Sequence, residues 1–374
     1  KYLILCFFFC NFFYILLNMD LSFDTRLQKI EQALSQALNM DFSAEWKNSV
    51  FANIPQAITT KHIQNLIQPN KELIDLGGKR WRPLFMILCY ELLCKESKNA
   101  LPIDSVYKLT PLVEFVHTAS LIHDDIEDSA DLRRGKPSAH ITFGLDTALN
   151  AGSWLYFVAP VSIDNLDLPA EQKLMFYQLY TLELRKLHLG QAMDIFWHRE
   201  KDVFPTMDEY KAMVKNKTGT LASLAAQTGI LASGQTLEIA QQFGDIAANI
   251  GIGFQIIDDV INLTTGNVGK KRGDDIVEGK KSLPILIHIH NNPHDKEKIA
   301  SLMKIAQEEG IDSSAVEECI SVLETSDCIQ LAAKEGISLI KTSCQNFGSL
   351  LKCDEQILEL IKNLFEKMVP GQFK

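Results

Sequence analysis

The chain has 374 residues, 46% of them hydrophobic, enough apolar material for one large core. Its formal net charge of −10 argues against a nucleic-acid partner, but not against a small anion, because metal ions and local basic clusters reverse the sign of a site. The eight scattered cysteines contain no C-x-x-C pair, which argues against a disulfide scaffold and a zinc site and predicts a reducing, cytoplasmic setting.

In chain order, residues 1–18 come first, with a single charge and an apolar run that includes Phe7, Phe8, Phe9, Phe12 and Phe13. The segment is close to the length of a membrane span, and no small-residue cleavage site follows it. Three readings stay open: a gene-model extension, a membrane anchor and a targeting peptide. The last two would make the protein membrane-associated or organellar. Residues 19–374 read as one domain. Apolar residues recur with helical spacing over 26–38, 106–122, 172–189, 237–257 and 356–368. Few stretches alternate with period two, so strands are not expected. The prediction is an all-α fold of ten or more helices, with one long polar, glycine-bearing loop over 264–281.

Two acidic pentads carry the functional signal: Asp124-Asp125-Ile126-Glu127-Asp128 and Asp258-Asp259-Val260-Ile261-Asn262. Each follows an apolar, helix-like run, where carboxylates repel each other and resist desolvation. Hard divalent cations resolve that conflict. Asp124 and Asp128 share a helix face at i and i+4 and can clamp metal against a diphosphate, with Asp125 turned aside. The bland alternative, acids placed to favour a helix N-terminus, is opposed by the apolar run on their N-terminal side.

Basic residues flank both pentads. Arg133 and Arg134 follow the first, and paired guanidiniums there fit a phosphate between them, although a solvated loop reads equally well in isolation. Gly77-Gly78-Lys79-Arg80-Trp81-Arg82-Pro83 forms a second cluster, with Lys79 and Arg82 at a helix start; it is not a P-loop. His117 sits on the helix face of Asp124, two turns earlier. In the second half, Lys217, Thr218, Gln255, Lys270 and Lys280 surround the other pentad. Each lysine alone reads as a surface charge; together they neutralise a diphosphate beside Asp258 and Asp259. The sum is two anion sites, one bridged by metal and one purely basic, which is what ionising a carbon–oxygen bond to diphosphate requires.

At this point the chain resembles the trans-isoprenyl diphosphate synthase family. The motifs GGKRWRP, HTASLIHDDIEDSADLRRGKPSAH, LGQAMDIFW, NKTGTL and GFQIIDDVIN with DDIVEGKKSLP occur in family order over residues 73–284. The resemblance implies an isoprenoid-synthase fold of helices around a deep central cavity, a homodimer, and three Mg²⁺ per site, for which Mn²⁺ can substitute. It implies metal ligation by Asp124, Asp128 and Asp258, with Asp125, Asp259, Arg133 and Lys217 also in the catalytic set. It assigns Arg133, Lys217, Thr218, Gln255, Lys270 and Lys280 to the allylic substrate, and Lys79, Arg82, His117 and Arg134 to isopentenyl diphosphate. The reaction implied is head-to-tail condensation with dimethylallyl, geranyl or farnesyl diphosphate.

The second pentad departs from the commoner pattern by ending in Asn262 rather than Asp. With GQAMDIFW, this is most similar to eukaryotic geranylgeranyl diphosphate synthases. Ala119 and Ser120, small residues about one turn before Asp124, are expected to let the growing tail pass beyond farnesyl length. Farnesyl or mixed farnesyl/geranylgeranyl synthesis is the nearest alternative. Terpene cyclases have no use for a site built from Lys79 and Arg82. An HD-type phosphohydrolase reading of His117 and His123-Asp124 leaves the basic residues unexplained, and the intact Asp124, Asp128, Asp258, Arg133 and Lys217 argue against a non-catalytic regulatory subunit.

Overall fold

A computed structural model describes residues 21–200, 202–266, 271–369 and 371; residues 1–18 and Lys270, both subjects of the expectations above, lie outside them. The N-terminal part comprises α1 (Leu21–Ala37), α2 (Ala44–Phe51), α3 (Thr60–Asp75), α4 (Trp81–Leu93), α5 (Ile103–Tyr107), α6 (Pro111–Glu127), α7 (Ala139–Phe143), α8 (Leu145–Val158) and α9 (Val161–Asp164). The middle holds α10 (Ala170–Arg199), α11 (Met207–Val214), a π-helical turn (Lys215–Gly219), α12 (Thr220–Ala232) and α13 (Leu237–Thr264). The remainder is α14 (Asp274–Val277), α15 (Leu283–Asn291), α16 (Lys296–Glu309), α17 (Ser314–Glu324), α18 (Cys328–Leu350) and α19 (Glu355–Glu366). The all-α expectation holds, and helices cover all five segments where apolar spacing predicted them.

The 106–122 segment is not one helix. It breaks after α5, and Pro111 opens α6, because proline has no N–H to continue a helix but suits its first turn. A second difference is a small antiparallel ladder, β1 (Leu132–Arg133) with β2 (Lys136–Pro137). Its two-residue turn is Arg134-Gly135, and both residues have positive φ, 53° and 77°. A tight hairpin demands that conformation, but Arg-Gly is not the Asn-Gly or Asp-Gly pair that announces it in a sequence.

α12 is buried round its whole circumference, from Thr220 to Ala232, and packs on α4, α10 and α13. A helix apolar on every side belongs at the centre of a domain. Among the described residues one helix, α13, is long and apolar enough to cross a membrane, yet 67% of its most apolar window is buried inside the protein. It is a core helix. It meets α18 backbone to backbone: a Cβ on Gly253 would stand 2.6 Å from the Gly336 carbonyl oxygen. Glycine is therefore required at that crossing. The larger apolar cluster unites α1, α3, α4, α6, α8, α10, α12 and α19, and the smaller unites α15 to α18. α13 contributes to both, so the two acid-bearing helices, α6 and α13, belong to one packed body.

Candidate active site

The first pentad ends α6. Asp128 is the C-cap, its N–H donating to the Asp124 carbonyl at 2.8 Å. A helix C-terminus carries negative partial charge, so a run of acids there is opposed by roughly 0.3–1 kcal/mol per charge. Nearby cations must offset this. Asp124 and Asp128 are half-buried on the same open stripe of α6 as His117 and Ser120. Asp125 is 1% exposed and turns away, as expected. Arg133 grips its Oδ1 through Nε at 2.8 Å and also through Nη2. Burial nonetheless raises the Asp125 pKa, against the opposing pull of Arg133.

The compensating cations come from distant parts of the chain. Lys217 Nζ lies 2.6 Å from Asp194 Oδ2 and 3.5 Å from Asp124 Oδ1. Gly190 makes this approach feasible, because a Cβ there would stand 2.3 Å from the Lys217 backbone nitrogen. Lys217 also sits in the π-helical turn, a local widening that often marks functional positions. Burial works against its charge, but Asp194 and Asp124 outweigh it and raise its pKa. Burial likewise opposes the Asp194 charge, yet Lys217 and His198 hold that carboxyl below its ordinary value. Gln191 Nε2 donates to Asp124 Oδ1 at 2.7 Å and to Glu127 Oε2 at 2.5 Å. Lys280 reaches the same region, paired with Asp275 Oδ1 at 3.6 Å and with Glu278. Burial raises the Asp128 pKa, and Lys280 acts against that rise.

The second pentad divides between two environments. Asp258 is half-buried. Asp259 is buried and held by the protein: Tyr210 Oη donates to Oδ2 at 2.6 Å, Gln255 Nε2 to Oδ1 at 3.0 Å, and the Leu283 N–H to Oδ2 at 3.3 Å. Burial and the neighbouring Asp275 push its pKa up to about 7 despite those donors. Asp259 anchors the start of α15 to α13. Thr218 Oγ1 donates to Gln255 Oε1 at 3.0 Å, so both predicted allylic contacts belong to this chain of hydrogen bonds. Asn262 is fully buried, with its Oδ1 accepting the Asp275 N–H at 3.3 Å and its carbonyl accepting the Gly273 N–H at 3.0 Å. It fastens the returning polar loop rather than facing the acids.

Arg82, His117 and Arg134 come together. Arg82 Nη1 lies 3.4 Å from His117 Nε2, and its guanidinium stacks over Trp81 at 4.4 Å. Arg134 donates to the Gly77 carbonyl and packs on Gly78. Burial and the guanidiniums of Arg82 and Arg134 depress the His117 pKa well below its ordinary value. Burial also lowers the Arg82 pKa, to about 10, against Glu114 and Asp258, which favour its charge. Lys79 is exposed at the rim. His123, in contrast, faces the Ala119 carbonyl at 2.8 Å and Ser153 Oγ at 3.2 Å. The two histidines of a phosphohydrolase reading thus serve different surroundings. Ala119 is wholly buried and Ser120 half-buried.

Asp194, Gln191 and His198 were missed as site residues, although LGQAMDIFW had been singled out; their spacing on α10 was the available signal. Among the described residues no three His, Cys, Asp or Glu side chains converge on one metal position. Hard oxygen donors that do not close a cage suit a cation that takes its remaining ligands from water and phosphate. The Asp125 Oδ2, buried without a hydrogen-bond partner, adds a further unfilled acceptor to the region.

Acids and cations arranged in this way define a diphosphate-handling site, and residues 63–323 match the polyprenyl synthetase family, to which the chain belongs. Curated relatives include geranylgeranyl pyrophosphate synthase 2 of Zymoseptoria tritici, 37% identical over 63% of this chain and 68% of that protein. A geranylgeranyl pyrophosphate synthase of Metarhizium robertsii is 34% identical over 78% of this chain and 86% of its own. Among solved structures, geranylgeranyl pyrophosphate synthetase from Pyrococcus horikoshii superimposes with a TM-score of 0.75 at 25% identity, covering 93% of this chain and 97% of that one. Heptaprenyl diphosphate synthase from Staphylococcus aureus does so with a TM-score of 0.72 at 26% identity, covering 92% and 97%. Enzymes named for different products share this fold, so the backbone alone does not set product length.

Proposed function

We propose that the protein condenses isopentenyl diphosphate head-to-tail with an allylic diphosphate, dimethylallyl, geranyl or farnesyl, to make geranylgeranyl diphosphate. The observation that carries this reading is the pairing of an acid-rich site, Asp124 and Asp128 with Lys217 and Lys280, with the basic site of Arg82, His117 and Arg134. The curated relatives named above support the product. Asp124, Asp128 and Asp258 would hold Mg²⁺, three ions per site or Mn²⁺ in their place, which would supply positive charge to the departing diphosphate. Lys217, Lys280 and Arg133 add fixed positive charge without reorganisation. Lys79, Arg82, His117 and Arg134 hold isopentenyl diphosphate with its double bond turned to the allylic carbon. The allylic C–O bond breaks, a C–C bond forms, and a proton leaves to the released diphosphate.

A homodimer is part of this reading. Ile141, Leu145, Leu149 and Phe157, on α7 and α8, are exposed, Phe157 by 80%, and Leu174, Leu189 and Phe196 are exposed on α10. Apolar surface of this kind favours burial against a second copy. A cytoplasmic location fits six described cysteines that are all free thiols. Incubation with labelled isopentenyl diphosphate, each allylic primer in turn and Mg²⁺, followed by product chromatography, tests the activity and the chain length together. A dominant C20 product is expected; no isopentenyl incorporation with any primer overturns the reading.

A further inference from the structure

Arg80 lies between Lys79 and Arg82, yet it points the opposite way. Its backbone is left-handed, with φ 46° and ψ 26°, at the N-cap of α4. That conformation is unfavourable for a residue with a Cβ and persists only where the surroundings hold it. They do: Arg80 is 4% exposed and each of its three guanidinium nitrogens has a partner. Nη1 donates to Glu114 Oε1 at 2.6 Å, Nε to Glu31 Oε1 at 2.7 Å, and Nη2 to the Ile74 carbonyl at 2.6 Å. One fork therefore ties the end of α3, the N-terminal helix α1 and α6 to the first turn of α4.

Glu114 makes this arrangement functional as well as structural. It is 2% exposed and lies one turn before His117 on α6. It also acts electrostatically on Arg82 and Arg134. Without a dedicated counter-ion, this buried carboxylate would draw on Arg82, whose charge it favours, and add negative charge beneath an anion site. We infer that Arg80 is a positioning residue for the basic diphosphate site: it occupies Glu114, and so leaves Arg82 and Lys79 available to the ligand. Through Glu31 the same contact makes the N-terminal helix a support of that site. The inference rests on the proposed function for the identity of the ligand, but not for the behaviour of the site.

The test separates the two. Binding of inorganic pyrophosphate in EDTA, followed calorimetrically, reads the metal-independent basic site with no turnover. Arg80→Gln is expected to weaken this binding about tenfold, because Glu114 is then uncompensated. Arg80→Gln combined with Glu114→Gln is expected to restore it to within about threefold of wild type, since removing both partners of a buried pair leaves no orphaned charge. Glu31→Gln, which leaves Arg80 paired with Glu114, is expected to have a smaller effect. In steady-state assays Arg80→Gln should raise KM for isopentenyl diphosphate while leaving KM for the allylic substrate unchanged. Pyrophosphate affinity unchanged in folded Arg80→Gln, or a double variant no better than the single one, overturns the positioning role. Absence of turnover by wild type would instead count against the proposed function, with the calorimetric result still deciding the role of Arg80.

Discussion

Lys217 offers the sharpest test of how the acid-rich site is balanced. Lys217→Met keeps the length of the side chain and removes its charge. Asp194, with a side chain 9% exposed, then loses the ammonium 2.6 Å away. The gross attraction at that distance is roughly 6 kcal/mol for an effective dielectric of about 20. Residual solvent access to Lys217, 24% exposed, and the remaining His198 reduce what is lost. Removing one partner of a buried pair costs about 3–5 kcal/mol in other proteins, so about 3 kcal/mol is expected here. Urea unfolding in EDTA at neutral pH measures it. Asp194→Asn in the Lys217→Met background should recover at least about half of the loss, because no buried charge is then orphaned.

The pH dependence follows from the direction of both shifts. The depressed Asp194 carboxyl contributes stability that is complete above its unfolded pKa of about 3.9 and is lost as the pH falls through the lower folded value. The raised Lys217 pKa contributes stability that is complete below about 10.4 and is lost only as the pH rises through the higher folded value. The difference between wild type and Lys217→Met should therefore be flat from about pH 5 to 9 and shrink in acid. Additivity of the two substitutions to within about 0.5 kcal/mol would refute the pairing argument.

Three other outcomes are expected. Asp124→Asn should lower kcat by about a hundredfold or more with little loss of stability, because it removes both a cation ligand and a repulsive charge at a helix C-terminus; unchanged kcat counts against metal clamping there. Ala119→Phe should shift products toward C15, at an overpacking cost of about 1–3 kcal/mol since Ala119 is fully buried; an unchanged product profile from a folded variant rejects the chain-length role. Leu149→Asp with Phe157→Asp should weaken self-association on α8, read by sedimentation; an unaltered sedimentation coefficient argues against that face.

Much of this protein is written in local pattern. Apolar spacing marked α1, α10, α13 and α19, and the acids of the first pentad were legible as a costly cluster because an apolar run precedes them. The order of motifs identified the family, later matched over residues 63–323. These signals survive in one dimension because periodicity, local charge and motif order depend on neighbours along the chain.

Only the tertiary structure decided which way individual side chains turn. Asp258 and Asp259 are adjacent in sequence, yet Asp259 is held by Gln255 one turn earlier on α13 and by Tyr210 and the Leu283 N–H, brought to it from two other places in the chain. Asn262 completes the second pentad in sequence, yet it is fully buried and its Oδ1 accepts the N–H of Asp275 in α14. Lys79, Arg80 and Arg82 form one basic run in sequence; in three dimensions the left-handed backbone at Arg80 sends it inward to Glu31 and Glu114 while Lys79 remains outside. Asp194 gained its meaning from Lys217, which Gly190 admits by having no side chain. The physical reason is common to all four: a polar side chain must find its partner wherever packing leaves one. Most of those partners lie far away along the chain. Composition and spacing determined that this protein has acids and bases to place, and the packing of α6, α10 and α13 around α12 determined which of them face each other.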